Sequence, residues 1–207
     1  MSPSIPGTVT LTDTATQNPA LADGVLTITT GTAQDTSIYY SINFGAFASN
    51  PALFADGFAI DANLIVEMGT QFDARRAPAI MQSNIAGSIK TLHLGTSFAS
   101  LTTDFESPFP TTSTNNQNAF HNYRMVVGGT AIGSSVHVFK DGKLILTSTT
   151  GNQTGANSPN MIFYFGEASL IAQGTSRWTS FSIETIPEPS SALFASLGAI
   201  ALLRRKR

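Results

Sequence analysis

Asp104 and Glu106 are the residues whose types and spacing could support hydrolysis. They are the one pair of acidic residues two positions apart in the chain, and on a strand they would share a face about 7 Å apart. Paired carboxyl groups about 5–10 Å apart are what glycosidases use. Ser-Pro-Phe-Pro follows at 107–110, and Glu67 has no acidic partner because residue 69 is glycine. We therefore expect two solvated loop acids and predict no catalytic residue.

The three histidines are too far apart in the sequence to predict a metal site. His93, His121 and His137 lie in or beside candidate strands, and the chain has no cysteine. Protein zinc sites usually take closely spaced ligands. His137 alternates with Val136 and Val138, so we expect its side chain on the opposite face of the sheet from the two valines. His121 is expected to form a hydrogen bond near the edge of its strand.

Sugar binding would use an exposed aromatic ring beside polar groups, and the sequence offers few obvious candidates. Trp178 is the only tryptophan, and its place at the start of a predicted strand favours a role in the core. The four tyrosines also fall within predicted strands, and we interpret them as packing residues; they are Tyr39, Tyr40, Tyr123 and Tyr164.

The elements that would position these residues are short strands separated by turn residues. No stretch before residue 187 shows a sustained helical period, apart from a short helical turn predicted at 50–55. Met161–Phe165 is apolar at every position, which predicts a central, fully covered strand. The predicted strands are Gly24–Thr30, Ser37–Phe44, Phe58–Met68, Pro78–Ile85, Thr91–Thr96, Tyr123–Val127, Ser135–Lys140, Lys143–Thr149, Met161–Gly166 and Trp178–Thr185.

The clearest local unit is a hairpin at residues 136–146. Two apolar runs flank Asp141-Gly142, and Asp-Gly is the preferred centre of a type I′ turn because both positions need φ > 0.

Composition favours a single all-β domain and excludes nucleic acid as a partner. Charged residues make up 12% of the 207, and four of the eleven basic residues end the chain. Residues 1–186 keep seven basic and twelve acidic residues, a balance of −5. A body without a basic patch does not match the electrostatic footprint of nucleic-acid binding.

The last 21 residues have three successive parts. Pro187-Glu188-Pro189 breaks regular structure, Ala192–Leu203 carries no charge, and Arg204, Arg205, Lys206 and Arg207 end the chain. The basic end would stop membrane insertion on the cytoplasmic side. Fourteen residues from Ser190 would span about 21 Å as a helix, against about 30 Å of hydrocarbon. This segment is therefore predicted to be a short transmembrane helix, with an interfacial segment or a buried terminal helix as the alternatives.

In this order, the tripeptide, the apolar run and the basic end resemble the PEP-CTERM sorting signal of Gram-negative bacteria. The resemblance implies an exosortase, a membrane protease, as partner, with Pro187, Glu188 and Pro189 as sorting motif and the four terminal cations as membrane stop signal. It also implies contact with membrane lipid, followed by release to the cell surface or outside. Residues 1–7 have no basic and apolar secretion signal, so we expect the true start to lie upstream.

From residue 121 onward the order of features resembles the concanavalin A-like lectin/glucanase superfamily in its laminin G-like form. The resemblance implies a jelly roll of two packed antiparallel sheets. The acidic strand of the glucanase branch, Glu-x-Asp-x-x-Glu, is absent. The features are His121-x-Tyr123-Arg124, Val136-x-Val138-Phe139-Lys140-Asp141-Gly142-Lys143, Phe163-Tyr-Phe165-Gly166, Trp178-x-x-Phe181-x-Ile183 and, earlier, Phe58 with Ile65-Val66-Glu67-Met68.

Together these patterns predict an N-terminal segment at 1–19, a β-sandwich at 20–186 and a sorting signal at 187–207. The predicted function is that of an exported, non-enzymatic surface or matrix protein whose sandwich is a structural or adhesive module. A carbohydrate-binding module that contacts extracellular polysaccharide is the first alternative, and a glucanase-type hydrolase is the second. No cofactor is predicted; calcium, common in the superfamily, stays as an alternative, although no Asp-x-Asp-x-Asp-Gly loop is present.

Overall fold

A computed structural model describes most of the body of the chain. The described residues are 8–13, 19–30, 38–46, 49, 52–70, 77–85, 87–102, 110–130, 134–148, 153–154, 160–167 and 173–186. The predicted sorting signal at 187–207 and the acid pair at 104 and 106 lie outside these ranges. Among the described residues, no helix has the length and apolar character needed to cross a membrane.

Eight strands form one antiparallel sheet. Its order is β1-β4-β14-β6-β7-β8-β9, and β13 pairs with β7 beside this path. The strands are β1 (Thr8–Asp13), β4 (Ile38–Ala46), β6 (Ala79–Ile85), β7 (Ser88–Leu94), β8 (Phe98–Thr102), β9 (Thr111–Ser113), β13 (Gln153–Thr154) and β14 (Asn160–Glu167).

Seven strands form the second antiparallel sheet, in the order β12-β11-β10-β5-β15-β3-β2. Its two longest strands, β5 and β15, lie side by side at its centre. The strands are β2 (Ala20–Ala22), β3 (Val25–Thr30), β5 (Phe58–Thr70), β10 (His121–Val127), β11 (Val136–Lys140), β12 (Lys143–Ser148) and β15 (Gln173–Thr185).

One hydrophobic core lies between the two sheets and holds them together. A cluster of phenylalanines occupies its centre: Phe163 of β14 meets Phe54 and Phe58 at 5.3 Å between ring centroids, edge to face. Each of these three side chains is fully buried, and burying one such ring is worth about 1.5–3 kcal/mol. Facing apolar surfaces of this kind make two-sheet packing the stable arrangement.

The structure confirms the all-β prediction and each predicted strand, with shifts at the ends. The predicted strand at 91–96 runs instead from Ser88 to Leu94, because the Gly95 N–H bonds the Phe98 carbonyl at 3.1 Å and turns the chain. Five strands were not predicted, all short: β1, β2, β8, β9 and β13. Residues 8–13, expected in a separate N-terminal segment, pair with β4 in the eight-stranded sheet.

Two local predictions are confirmed and one is corrected. Asp141 and Gly142 both have positive φ, 49° and 78°, as a type I′ turn requires. A turn at 52–56 with hydrogen bonds from Ala55 to Ala52 and from Gly57 to Phe54 matches the predicted helical turn. Strand β14 is central, but it is not fully covered, because alternate side chains, including Tyr164, remain partly exposed on its outer side.

Asn116 joins the two sheets at one end of the sandwich. Its side-chain amide donates to the carbonyls of Gly95 and Phe98 at 2.6 and 2.9 Å, next to the eight-stranded sheet. Its carbonyl oxygen accepts from the hydroxyl of Tyr123 and from the amine of Lys140, both on the seven-stranded sheet. A buried asparagine with every hydrogen bond satisfied fixes this end of the fold.

Candidate functional site

The outer side of the eight-stranded sheet carries an unusual concentration of uncharged polar side chains. We call it the polar face. Register decides its membership, since residues directly opposite on antiparallel strands share a face. Its described members outside the edge strands include Tyr39, Ser41, Asn43, Gln82, Asn84, Ile89, Ile162 and Tyr164, which are partly exposed, and Ile80, Thr91, His93, Phe98, Ser100 and Thr102, which are buried.

A row of five hydrogen-bonding side chains crosses the middle of the polar face. Each lies opposite the next on five adjacent strands, β4, β14, β6, β7 and β8, in the order Ser41, Tyr164, Gln82, Thr91, Thr102. We call this the central row. The Thr91 hydroxyl donates to Oε1 of Gln82 at 3.1 Å. Thr91 and Thr102 are buried, whereas Ser41, Tyr164 and Gln82 are partly exposed.

Two tyrosines form an aromatic pair at one end of the polar face. The rings of Tyr39 on β4 and Tyr164 on β14 meet edge to face, with centroids 5.5 Å apart and an interplanar angle of 73°. Both side chains are half-buried. Burial raises the pKa of the Tyr164 phenol, and Tyr39 adds to the rise, so Tyr164 stays protonated and able to donate at neutral pH.

Gly166 allows the two tyrosines to meet. It lies directly opposite Tyr39 and has a φ of 124°. A Cβ there would come within 2.6 Å of the Ile38 carbonyl oxygen and 2.9 Å of the Tyr39 Cα. Only glycine tolerates this close backbone approach, so the sequence of β14 fixes how tightly it packs on β4.

His93 and Thr102 lie at the other end of the face. Nε2 of His93 is 2.5 Å from the Thr102 hydroxyl, and the two side chains are each 7% exposed. Which of the two atoms donates depends on the imidazole tautomer. Together with Ser100, fully buried beside them, they form a compact polar group on β7 and β8.

The described part of the polar face has no carboxyl group and no lysine or arginine. Across the described residues, no three His, Asp or Glu side chains come together to hold a metal ion. The chemistry of the polar face is therefore that of hydroxyls, amides, one imidazole and two phenols.

The other residues that the sequence singled out lie apart from the polar face. Trp178 is in the core as predicted, 2% exposed, and donates from its indole nitrogen to the Ser176 hydroxyl at 2.9 Å. His121 and His137 are on the seven-stranded sheet. His121 binds Asp141 at 2.7 Å, which confirms its predicted hydrogen bond. His137 points outward between buried valines, also as predicted.

The packing interpretation of the tyrosines holds for two of the four. Tyr123 is buried, and Tyr40 stacks inward on Phe165 at 5.1 Å. Tyr39 and Tyr164 contact each other but lie on the outer side of the sheet. The alternation from Ile38 to Phe44 could have indicated the outward position of Tyr39, because it places tyrosine, serine and asparagine on one face of β4.

Two open grooves flank the Asp141-Gly142 turn on the other side of the molecule. One, about 470 Å³, lies on the outer face of the seven-stranded sheet and is lined by Asp61, Asn122, Tyr123, Arg124, Val126, Phe139 and Gly142. In it Arg124 binds Asp61 at 2.8 Å and also Glu184. The other, about 550 Å³, runs between the edge strands β9 and β12. Their ionic character contrasts with the polar face.

The chain is similar in structure to several solved binding domains at very low sequence identity. It matches the metal-free Emp46p carbohydrate recognition domain with a TM-score of 0.51 and 9% identity, covering 86% of this chain and 89% of that one. The potassium-bound form gives 0.50 and 11%, over 86% and 89%. The botulinum neurotoxin serotype D binding domain gives 0.51 and 9%, over 87% of this chain and 44% of that one.

These likenesses concern the fold alone, and they agree with the predicted jelly roll of two packed antiparallel sheets. No protein-family model matches the sequence, and no curated protein matches it.

Proposed function

We propose that the sandwich is a non-catalytic carbohydrate-binding module and that its polar face is the binding surface. The observation that carries the proposal is the partly exposed tyrosine pair beside the partly exposed side chains of Ser41 and Gln82. The structural-spacer function expected from the sequence gives no reason for this arrangement on an outer face.

The chemistry of a sugar matches these groups. A pyranose ring has an apolar C–H face that packs on an aromatic ring, and a rim of hydroxyls that both donate and accept. Tyrosine supplies an apolar body with a polar tip, and glutamine and serine supply both donors and acceptors. Because the side chains project from paired strands, they hold their positions before a ligand arrives, which lowers the entropic cost of binding.

The structural likeness agrees with this proposal, but the proposal does not rest on it. Emp46p is described as a carbohydrate recognition domain, and the neurotoxin segment is described as a binding domain. At 9% identity neither one identifies a ligand for this chain.

The test is retention of the purified sandwich on immobilised glycans: β-1,4-glucan, β-1,3-glucan, α-1,4-glucan, galactomannan and a C6-oxidised β-1,4-glucan. We expect retention on at least one, and a loss of tenfold or more in a Tyr39→Ala, Tyr164→Ala double variant. Phe139→Ala is the matched control, since it removes a partly buried ring from the opposite face. No retention on any glycan, or equal retention by the tyrosine variant, would overturn the proposal.

A glucanase is the competing enzymatic function. It would need Asp104 and Glu106, and we expect a double alanine variant of these acids to bind glycans as the wild type does. Release of reducing sugar by the wild type that disappears in this variant would establish the hydrolase instead.

We also propose that residues 187–207 sort the protein to the bacterial cell envelope through an exosortase. The support is the sequence order of Pro187-Glu188-Pro189, the apolar run and four terminal cations. A reporter with residues 184–207 behind a secretion signal should lose its basic end in a host with the matching exosortase. Alanines at 187–189 should block the cut; an uncut wild-type tail in that host would contradict the proposal.

A further inference from the structure

We infer that the groove between the edge strands β9 and β12 binds an extended, acidic segment of a partner protein. We call it the edge groove. The inference goes beyond the proposed function, because the groove does not include the tyrosine pair and its test does not need a glycan. It depends on two features, the lysines of the groove and the free backbone groups of its walls. The groove, about 550 Å³, is lined by Thr112, Ser113, Thr114, Lys140, Asp141, Lys143, Leu144 and Ile145.

Two cations without a carboxylate partner gather in the edge groove. The described basic side chains are Lys90, Arg124, Lys140, Lys143 and Arg177. Lys90 is buried, 2% exposed, and both arginines form ion pairs. Lys140 and Lys143 both line the groove, and neither forms an ion pair within the described part of the chain. The groove therefore offers positive charge to an anionic ligand.

Lys140 is held in place by neutral groups. Its Nζ donates to the hydroxyl of Thr114 at 3.0 Å, to Oδ1 of Asn116 at 3.1 Å and to the carbonyl of Asn115. Burial lowers the pKa of Lys140, so an anion that comes near would stabilise its charged form. Lys143, exposed on the other side of the two-residue turn, is free to contact the anion directly.

Asp141 also lines the edge groove, but it does not cancel this charge. Its Oδ1 accepts from the backbone N–H of Asn122 at 2.9 Å, and its Oδ2 lies 2.7 Å from Nδ1 of His121. Both oxygens are thus bound by residues of β10 that do not line the groove. Two lysines and one aspartate give the groove a balance of +1. This charge favours an acidic partner and discriminates against a basic one.

The walls of the edge groove also offer backbone hydrogen-bonding groups to an extended chain. Among the described residues, β9 and β12 are the last strands of their sheets. The residues that flank the two-residue turn pair directly, so the next residue, Leu144, turns its N–H and C=O away from β11. On β9 the Thr114 N–H bonds the Ser97 carbonyl at 3.0 Å, so Ser113 turns its groups away from β8. Such edges are templates for an added strand.

Both walls are short, so backbone pairing has to be supplemented by charge. Strand β9 has three residues, and β12 has a bulge at Ile145, which has no partner on β11 because the register shifts there. A bulge interrupts regular pairing. Leu144, 49% exposed, offers an apolar contact beside Lys143. The ligand that fits these groups is a short strand that carries both carboxylate and apolar side chains.

The test titrates the isotope-labelled protein with the peptide acetyl-Val-Glu-Val-Glu-Val-Thr-amide and follows the backbone amides by NMR. We expect saturable shifts at Ser113 and Leu144. The same peptide with glutamine in place of glutamate should bind about fivefold more weakly or worse. Raising NaCl from about 0.05 to about 0.5 M should weaken binding of the acidic peptide about threefold or more, because salt screens attraction between exposed charges.

A charge variant locates the binding. Lys143→Gln should weaken the acidic peptide about fivefold, to the level of the glutamine peptide, because it removes the exposed cation of the groove. Thr179→Glu is the matched control, since it lowers the net charge by the same one unit at an exposed position outside the groove. It should change the affinity less than twofold. Equal losses in the two variants would mean that only overall charge matters, which would overturn the inference.

Three further outcomes would overturn the inference: no saturable binding of the acidic peptide, equal binding of the two peptides, or shifts confined to amides outside the edge groove. Tighter binding of the C6-oxidised β-1,4-glucan in this groove, lost in Lys143→Gln, would also overturn it, because the ligand would then be an acidic polysaccharide. The carbohydrate-binding function is tested separately, by glycan retention in the tyrosine variant, so either proposal can fail alone.

Discussion

Tyr39 and Tyr164 contact each other edge to face on the outer side of the eight-stranded sheet, although they belong to strands far apart in the chain. Strand β14 inserts between β4 and β6, and this insertion creates the contact. The pair therefore exists only once the sheet is assembled.

Two substitutions of Tyr164 should show how much of glycan binding comes from its ring and how much from its hydroxyl. Tyr164→Ala should weaken binding about tenfold, which corresponds to about 1.4 kcal/mol, because it removes the apolar platform and the edge-to-face contact. Tyr164→Phe should retain most of the affinity, since the ring remains. Titration of both variants with the retained glycan measures the difference, and equal losses would mean that the hydroxyl, not the ring, binds the sugar.

Gly166→Ala should destabilise the fold by about 1–3 kcal/mol beyond a control glycine substitution, because its Cβ would overlap backbone atoms of β4. Gly45→Ala is that control: Gly45 also has positive φ, 89°, but nothing lies within 4 Å of its Cβ position. Urea unfolding of both variants gives the two free energies. Equal losses would show that backbone conformation alone, and not the close approach of β14 to β4, requires glycine at 166.

Asn116→Ala should lower the free energy of unfolding by about 3 kcal/mol or more, because it leaves several buried groups without their hydrogen-bond partner. The Gly95 and Phe98 carbonyls would lose their donor, and the Tyr123 hydroxyl would lose its acceptor. Asn122→Ala is the matched control, since Asn122 is exposed and bonds Asn63; it should cost about 0.5 kcal/mol. A similar loss in the two variants, measured by urea unfolding, would disprove the joining role of Asn116.

The hairpin turn should make stability depend on pH through Asp141. Burial acts to raise the pKa of Asp141, but the Asn122 backbone N–H, His121 and Lys140 outweigh it, so the pKa lies below its usual value. A lowered pKa stabilises the fold at neutral pH, and this contribution is lost as the pH falls through the acidic range of the folded carboxyl. The stability difference between wild type and Asp141→Asn should therefore shrink from pH 7 to pH 3.

Asp61 should change the stability of the fold with pH in the opposite direction. Burial raises the pKa of Asp61 more than Arg124 lowers it, so its contribution favours the fold at low pH and is lost as the pH rises through the raised pKa. The difference between wild type and Asp61→Asn should grow from pH 7 to pH 3. Chemical unfolding at both pH values measures the two trends, and trends of the same sign would contradict the assignment of these carboxyl groups.

Much of the local structure could be predicted from the sequence because it depends on short-range patterns. The period-2 alternation located the long strands, and Asp141-Gly142 specified its turn through the φ values that aspartate and glycine tolerate. The size of Trp178 and its place in a strand predicted its burial. The short strands β8 and β9 could not be found this way, because they are stabilised by pairing with β7 and with each other more than by any pattern of their own.

The candidate site could not be predicted, although each of its residues was visible in a strand. Alternation assigns Tyr39 and Tyr40 to opposite faces of β4, but it does not say which face meets the core. Burial of Ile38 and stacking of Tyr40 on Phe165 decide that, and they turn Tyr39 outward.

The sequence by itself determined an all-β chain, the position of its longer strands, the Asp141-Gly142 hairpin and the composition of its terminal segment. Only the tertiary structure decided that Ser41, Tyr164, Gln82, Thr91 and Thr102 form one row. The physical reason is that strand order and register depend on how distant segments bury their apolar faces together. A one-residue change of register would turn every side chain of a strand to the other side.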